Sequence, residues 1–256
     1  MRTSTIIGIV AGMAIIFLAI FLRGVQQEGG MAMVKYFINL PAIVIVFGAT
    51  GAAILVNFNF RQIIDGFKAL RFTLVGKVMS PEAVIEVIVE MAVRARREGF
   101  MAIRELSTKG RYPLLDIGVD LVADGTDPEV TRGILATVSD YLHMKISTDE
   151  RLWRDISVYC PLFGMVGTLI GLIMLLRTLT DPETIAPNMS IALLTTFYGI
   201  IFAGLFCMPI AGKIRVYNAN MALTREIIIE GIASIQAGDN SQIVREKLRA
   251  YLAGRQ

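Results

Sequence analysis

Apolar residues in this 256-residue chain gather into four long runs, roughly Thr3–Leu22, Phe37–Val56, Tyr159–Leu179 and Ser190–Ile210. Each approaches the ~20 residues that a helix needs to cross a bilayer. None holds an Asp, Glu, Lys or His in its interior, and the nearest charge is Arg177 at the end of the third run. The last two runs are rich in Pro, Thr and Gly. Such spans suit one part of an ion-driven assembly whose titratable group sits on another chain.

The polar stretches between the runs keep a helical period. Ser80-Pro81-Glu82 reads as a helix start, with Ser as N-cap and Pro at the first helical position. Glu82, Glu86, Glu90 and Arg94 then recur on one face, while Val84, Ile85, Val87, Ile88 and Met91 fill the other. Asp127-Pro128-Glu129 repeats the start signal, and its helix is expected to run on into the third apolar run. Asp181-Pro182-Glu183 is a third such start. After the fourth run the helical period continues to Ile235. Gly238 then suits a left-handed turn, and Ser241–Leu252 forms a last amphipathic helix. No segment reads as a strand.

The expected fold is therefore all-α, a polytopic membrane protein with four transmembrane helices and a helical cytoplasmic domain. Residues 1–56 hold spans one and two, 57–157 the cytoplasmic domain, 158–212 spans three and four, and 213–256 a cytoplasmic tail.

Composition agrees. Apolar residues make up 54% and charged residues only 18%, against about 25% charged in a soluble domain. A net charge of +3 is too small to imply nucleic acid. Arg2 before the first run invites comparison with a signal peptide. The run is long, however, and is followed by Arg23, Gln26, Gln27 and Glu28 rather than a small-residue cleavage site, so a retained span is expected. Arg61, Lys68, Arg71 and Lys77 follow the second run, and Lys213 and Arg215 follow the fourth. The loop Thr180–Met189 carries Asp181 and Glu183 but no Lys or Arg. The positive-inside rule then puts both termini and the middle segment in the cytoplasm, outweighing Arg23 and Lys35 in the first loop. Trp153 and Tyr159 are expected at the headgroup level.

Enzymatic chemistry finds little support. His143 is the only histidine, and no Gly-rich phosphate loop with a following Lys is present. Asp116 and Asp120 lie one helical turn apart, as on a solvated face. Cys160 and Cys207 fall in apolar surroundings and read as packing residues, so neither a disulfide framework nor a zinc site is expected.

The third and fourth runs are more informative. Gly164, Gly167 and Gly171 place small residues on one helical face, as close helix packing requires. Thr168 and Thr196 either bond a carbonyl one turn back or, if the two spans are neighbours, face one cavity and offer oxygens to a small cation. Pro161 and Pro209 would each remove a helical hydrogen bond and permit a bend.

Several strings together resemble the MotA/PomA family, the larger stator subunit of the bacterial flagellar motor. They are Ala95-Arg96-Arg97-Glu98-Gly99, the string Pro161–Gly171, Thr195–Gly199, Pro209, Ile229-Glu230-Gly231-Ile232 and Lys247–Leu252. The resemblance spans nearly the whole chain. It implies a homopentameric ring in the bacterial inner membrane around a dimer of a single-span MotB/PomB-like partner. The partner's aspartate would carry the ion, and ion flow would turn the ring against the rotor protein FliG. The ion path would involve Thr168, Thr196 and Tyr198, and conformational coupling would involve Pro161 and Pro209. The rotor contact would fall on Arg96, Arg97, Glu98, Arg104 and Glu105. Arg104 departs from the family pattern, which usually has an acid there, so either Glu105 takes over or the rotor's charges differ. The strings Gly167-Thr168-Leu169-Ile170-Gly171 and Thr195-Thr196-Phe197-Tyr198-Gly199 resemble sodium-driven members more than proton-driven ones. No cofactor is implied beyond the transported Na+ or H+. The alternative is an ExbB/TolQ-like energiser of another envelope machine, which shares the Pro and Gly-Thr pattern of the third span.

Overall fold

A computed structural model of the chain describes residues 2–25, 35–75, 80–106 and 112–253. The polar stretch Gln26–Glu28, the loop up to Val34, and Lys77 lie outside the described residues. Among the described residues the secondary structure is helical throughout. In chain order it comprises α1 (Arg2–Val25), α2 (Leu40–Ile43), α3 (Ala49–Asn57), α4 (Phe60–Val75), α5 (Pro81–Glu98), α6 (Pro113–Ala123), α7 (Pro128–Arg177), α8 (Pro182–Ile201), α9 (Met208–Gln236) and α10 (Ser241–Ala253). Two π-helical segments, Val44–Gly48 and Phe202–Cys207, join α2 to α3 and α8 to α9, and a 3₁₀ segment, Phe100–Leu106, follows α5.

The helix starts form where the sequence places them. Ser80 Oγ accepts the Ala83 amide at 3.3 Å, Asp127 Oδ1 the Glu129 amide at 2.8 Å, and Asp181 Oδ1 the Glu183 amide at 3.2 Å. Each side chain satisfies a backbone donor that the first turn leaves unpaired. Gly238 adopts a φ of 72°, open to glycine at little cost, and α10 begins at Ser241.

The chain divides into two compact units. One comprises Met1–Gly76 and Thr148–Arg215, the other Lys77–Ser147 and Val216–Gln256. Among the described residues three helical stretches are long and apolar enough to cross a membrane: Lys35–Asn57, and those within Pro128–Arg177 and Pro182–Gln236. The described part of α1 adds a shorter apolar stretch, Ile7–Leu22. Leu162, Leu169, Ile173 and Leu176 stay exposed along α7, an apolar face that requires a cover of lipid or of another helix. This is an all-α membrane protein.

Two local features depend on the folded chain. The helix runs unbroken through Pro161, whereas Pro209 lies two residues past the end of a π turn. In that turn the Met208 amide bonds the Ala203 carbonyl, five residues back. A proline ring crowds the carbonyl four residues earlier, and the widened turn reshapes the backbone where that crowding falls. Trp153, expected at the headgroups, is only 4% exposed. Its indole nitrogen donates to the Gly66 carbonyl at 3.0 Å, and its ring meets Phe67 edge-on. The close approach of α4 to α7 at Gly66, where any Cβ would collide with Leu152, draws the indole inside.

The second unit has an ordinary hydrophobic core. Val84, Ile85, Ile88 and Met91 of α5 pack with Leu115 and Val119 of α6, Leu135 of α7, Ile227 and Ile232 of α9, and Val244 and Leu248 of α10. The Glu stripe on α5 faces outward, and Glu86 pairs with Arg245 of α10.

Candidate functional site

The C-terminal part of α7 and the second half of α8 meet along a seam of small residues. A Cβ added to Gly164 would lie 2.9 Å from the Thr195 carbonyl oxygen. One on Gly167 would fall 2.6 Å from Thr195 Cβ, and one on Gly171 2.7 Å from Ala192 N. The facing helix answers in kind: a Cβ on Gly199 would lie 2.6 Å from the Cys160 carbonyl oxygen and 3.1 Å from Pro161 Cα. Ala192, Thr195 and Gly199 are all buried. Without a hydrophobic drive between helices in lipid, such backbone contact supplies the dispersion energy that holds spans together. The spacing of Gly164, Gly167 and Gly171 is legible in the sequence, and Ala192, Thr195 and Gly199 repeat it on α8, where the same spacing of small residues is the signal.

The seam brings Thr168 and Thr196 together. Their hydroxyl oxygens lie 2.5 Å apart. Thr168 Oγ1 is also 3.1 Å from the Gly164 carbonyl oxygen and 3.0 Å from that of Ala192, and Thr196 Oγ1 is 3.4 Å from that of Gly164. Thr168 bonds the carbonyl one turn back, that of Gly164, whereas Thr196 reaches across the seam to the same carbonyl. Each hydroxyl has one proton to donate. The two protons cannot serve every close contact among these four oxygens, so the cluster keeps lone pairs that can meet a cation or an incoming hydrogen-bond donor.

Tyr198 is held elsewhere. Its hydroxyl donates to the Phe37 carbonyl at 2.5 Å and accepts the Asn39 amide at 3.0 Å. Asn39 caps α2 by accepting the Ala42 amide at 3.0 Å. In lipid the backbone groups at a helix start must find protein partners, and Tyr198 supplies one for each of two. The string Asn39-Leu40-Pro41 signals that start, but nothing local pairs it with Tyr198.

In the second unit the expected rotor-facing residues fall into two sets. Arg96 and Arg97 lie exposed in the last turn of α5, and neither has an ion-pair partner among the described residues. Glu98 and Glu105 are both engaged by Arg94, at 3.1 Å and 2.8 Å. Arg104 binds Asp120 at 3.0 Å and Asp124 at 3.3 Å. These hydrogen-bonded carboxylates hold both guanidiniums further above their ordinary range, Glu98 being the main cause at Arg94 and Asp120 at Arg104. Asp120 is thus a partner to Arg104 rather than a bare solvated acid.

Among the described residues no group of three His, Cys, Asp or Glu side chains could hold a metal.

The sequence pattern of the MotA/TolQ/ExbB proton channel family matches residues 107–227. The chain is 35% identical to motility protein A of Aquifex aeolicus over 98% of this chain and 97% of that one. It is 32% identical to the chemotaxis protein PomA of Vibrio alginolyticus, over 98% of this chain and 96% of that one. Among solved structures, the flagellar MotAB stator complex from Bacillus subtilis matches with a TM-score of 0.82 at 25% identity, covering 96% of this chain and 94% of its own. C. jejuni MotAB has the same fold, with a TM-score of 0.84, 98% of this chain and 96% of that chain covered. With glycine-lined spans, a threonine pair between them and full-length similarity to motility proteins, this chain belongs to the MotA/PomA family.

Proposed function

We propose that the chain is the stator subunit of a bacterial flagellar motor. With a single-span MotB/PomB-like partner it forms an inner-membrane channel that couples ion flow to torque on the rotor. Four spans, with α1 as the first, put both termini in the cytoplasm, and five copies surround a partner dimer. The observation that carries this reading is the Thr168–Thr196 pair on a seam of small residues between spans that lack any acid of their own. A carboxylate that carries the ion must then come from the partner. The Bacillus subtilis likeness is to a MotAB stator complex, which favours this function over an ExbB/TolQ-like energiser.

Sodium is the favoured ion. A proton needs only a carboxylate and a hydrogen-bonded path, whereas sodium needs oxygens to replace its lost water. The Thr168 and Thr196 hydroxyls and the Gly164 and Ala192 carbonyls offer such oxygens in one place. Pro161, beside Gly199 in the seam, and Pro209, beyond the π turn, are the positions where α7 and α8–α9 would bend as the ion passes. One charge moving across the membrane gains about 2.3 kcal/mol per 100 mV. That is enough to shift a close-packed seam but not to unfold it. Tyr198 borders the path by fixing the start of the second span. At the rotor end Arg96 and Arg97, without an ion-pair partner among the described residues, make the contact with FliG, while Arg94 and Arg104 hold Glu98, Glu105, Asp120 and Asp124 as a fixed frame.

The test is swimming speed of a stator-deleted bacterium carrying this chain and its cognate partner, across sodium concentrations at fixed pH and potential. Speed that rises and saturates with sodium supports the whole reading. Sodium-independent speed keeps the stator and makes it proton-driven. Absence of motility with verified insertion and a compatible rotor moves the function to another envelope machine.

A further inference from the structure

Two helices, α7 and α9, continue from the first unit into the second, and the first unit stops at Thr148 on one and at Arg215 on the other. At that edge, inside the first unit, Glu150 of α7 holds Arg215 of α9. Glu150 Oε1 accepts Arg215 Nε at 3.0 Å and Nη2 at 2.8 Å. The Glu150 side chain is only 14% exposed, and Arg215 reaches it from the open side. Two charge-assisted bonds onto one shielded carboxylate make a stiffer tie than an ordinary exposed pair.

The same stretch of α7 is held on its other sides. The Trp153 indole donates to the Gly66 carbonyl of α4 at 3.0 Å. Asp155 Oδ2 accepts the side-chain amide of Asn57, the last residue of α3, at 2.9 Å, with Arg151 3.5 Å away. Successive helical residues are turned by about 100°, so Glu150, Trp153 and Asp155 point in three different directions. A collar thus fastens this part of α7 to α3, α4 and α9.

Its place along the helices is what matters. At 1.5 Å per residue, Pro161 lies about 16 Å along α7 from Glu150, and Pro209 about 9 Å along α9 from Arg215. Both prolines are on the membrane side of the pair. Bends made separately at the two prolines would splay α7 from α9, and the displacement would be lost as sliding between them. A tie beyond both bends makes the two helices move as one body.

We propose that Glu150 and Arg215 are positioning residues for torque: their pair joins α7 to α9 where both leave the first unit, so that a bend at Pro161 or Pro209 is carried into the second unit. This rests on the stator reading. Neither side chain touches the ion. Breaking the pair therefore separates ion flow from torque, which loss of a purely structural contact would lower together.

The test uses a stator-deleted bacterium carrying this chain and its cognate partner. It reads stall torque on a bead-loaded flagellum, sodium and proton uptake per stator, and melting of the purified complex. Glu150→Arg and Arg215→Glu should each lower stall torque several-fold while ion uptake stays near that of the parent. The double variant, with the charges exchanged, should recover most of the torque. Arg215→Gln, a mild change at an open position, serves where the reversals fail to insert: torque should fall with uptake and melting unchanged. Parental torque in Arg215→Gln would overturn the proposal. So would torque and uptake falling in step, or a double variant no better than the singles. These outcomes strike the pair alone, because the parent still turns the motor. A parent with neither torque nor ion uptake would strike the stator reading, and this proposal with it.

Discussion

Tyr198 donates its hydroxyl to the carbonyl of Phe37, 161 residues away in sequence, and the same oxygen accepts the amide of Asn39. One side chain in the fourth apolar run thus closes the backbone at the start of the second. Tyr198→Phe leaves a donor and an acceptor without that partner, at an expected cost of about 1–3 kcal/mol. Thermal unfolding of the purified chain should register the loss. Because the threonine cluster is untouched, the sodium concentration for half-maximal swimming speed should hold steady. A large change in that concentration would make Tyr198 an ion ligand instead.

Thr168→Ala removes the hydroxyl that joins the Gly164, Ala192 and Thr196 oxygens. Thr195 still donates to Ile191 and Ala192 carbonyls, so the seam should persist, with a loss of about 1 kcal/mol. The sodium concentration for half-maximal speed should rise several-fold, and Thr168→Ser should restore most of it. A Thr168→Ala stator with unaltered sodium dependence would remove this oxygen from the ion path.

Gly199 and Gly204 separate packing from helix propensity. A Cβ at Gly199 would press on the Cys160 carbonyl, a backbone atom that cannot swing aside, whereas one at Gly204 meets nothing within 4 Å. Gly199→Ala should destabilise the chain by about 1–3 kcal/mol. Gly204→Ala should be neutral or mildly favourable. Thermal melting in detergent compares them directly.

Charge reversal distinguishes free from committed arginines. Arg96→Glu and Arg97→Glu break no ion pair among the described residues, so insertion and melting should match the parent while torque falls sharply. Arg104→Ala should instead release Asp120 and Asp124 and loosen the 3₁₀ segment Phe100–Leu106 against α6. Hydrogen exchange over that segment reports it. Normal torque in the Arg96 and Arg97 variants would take both out of the rotor contact.

The tail helix carries its own pH dependence. Hydrogen bonding to Lys247 holds the Asp239 carboxylate below its ordinary value of 3.8, and the same bond raises Lys247 above 10.5. A depressed acid stabilises above its unfolded value and loses that contribution as pH falls through the folded one. A raised base stabilises below its unfolded value and loses it as pH climbs through the folded one. Protection of α10 from proteolysis should therefore be level between about pH 4.5 and 10 and decline on both sides. Asp239→Asn should lower the plateau and flatten both edges.

Helix caps and spacings depend on neighbours a few residues away, and those were readable directly. Ser80, Asp127 and Asp181 start helices because their own side chains reach amides two or three positions on. Gly238 turns the chain because glycine alone adopts a positive φ freely. The acid-free apolar runs and the small-residue face of Gly164, Gly167 and Gly171 likewise announced close-packed membrane helices. Whether Thr168 would meet Thr196 depended on two helices being neighbours in the right rotation, which spacing within either one does not specify. The same holds for Tyr198 with Phe37, Trp153 with Gly66, and Arg104 with Asp120. Helix starts, turns and the small, apolar or charged faces named from the sequence follow from residues a few positions apart. Which face meets which follows from the packing of whole helices, because no local preference selects a contact between distant residues.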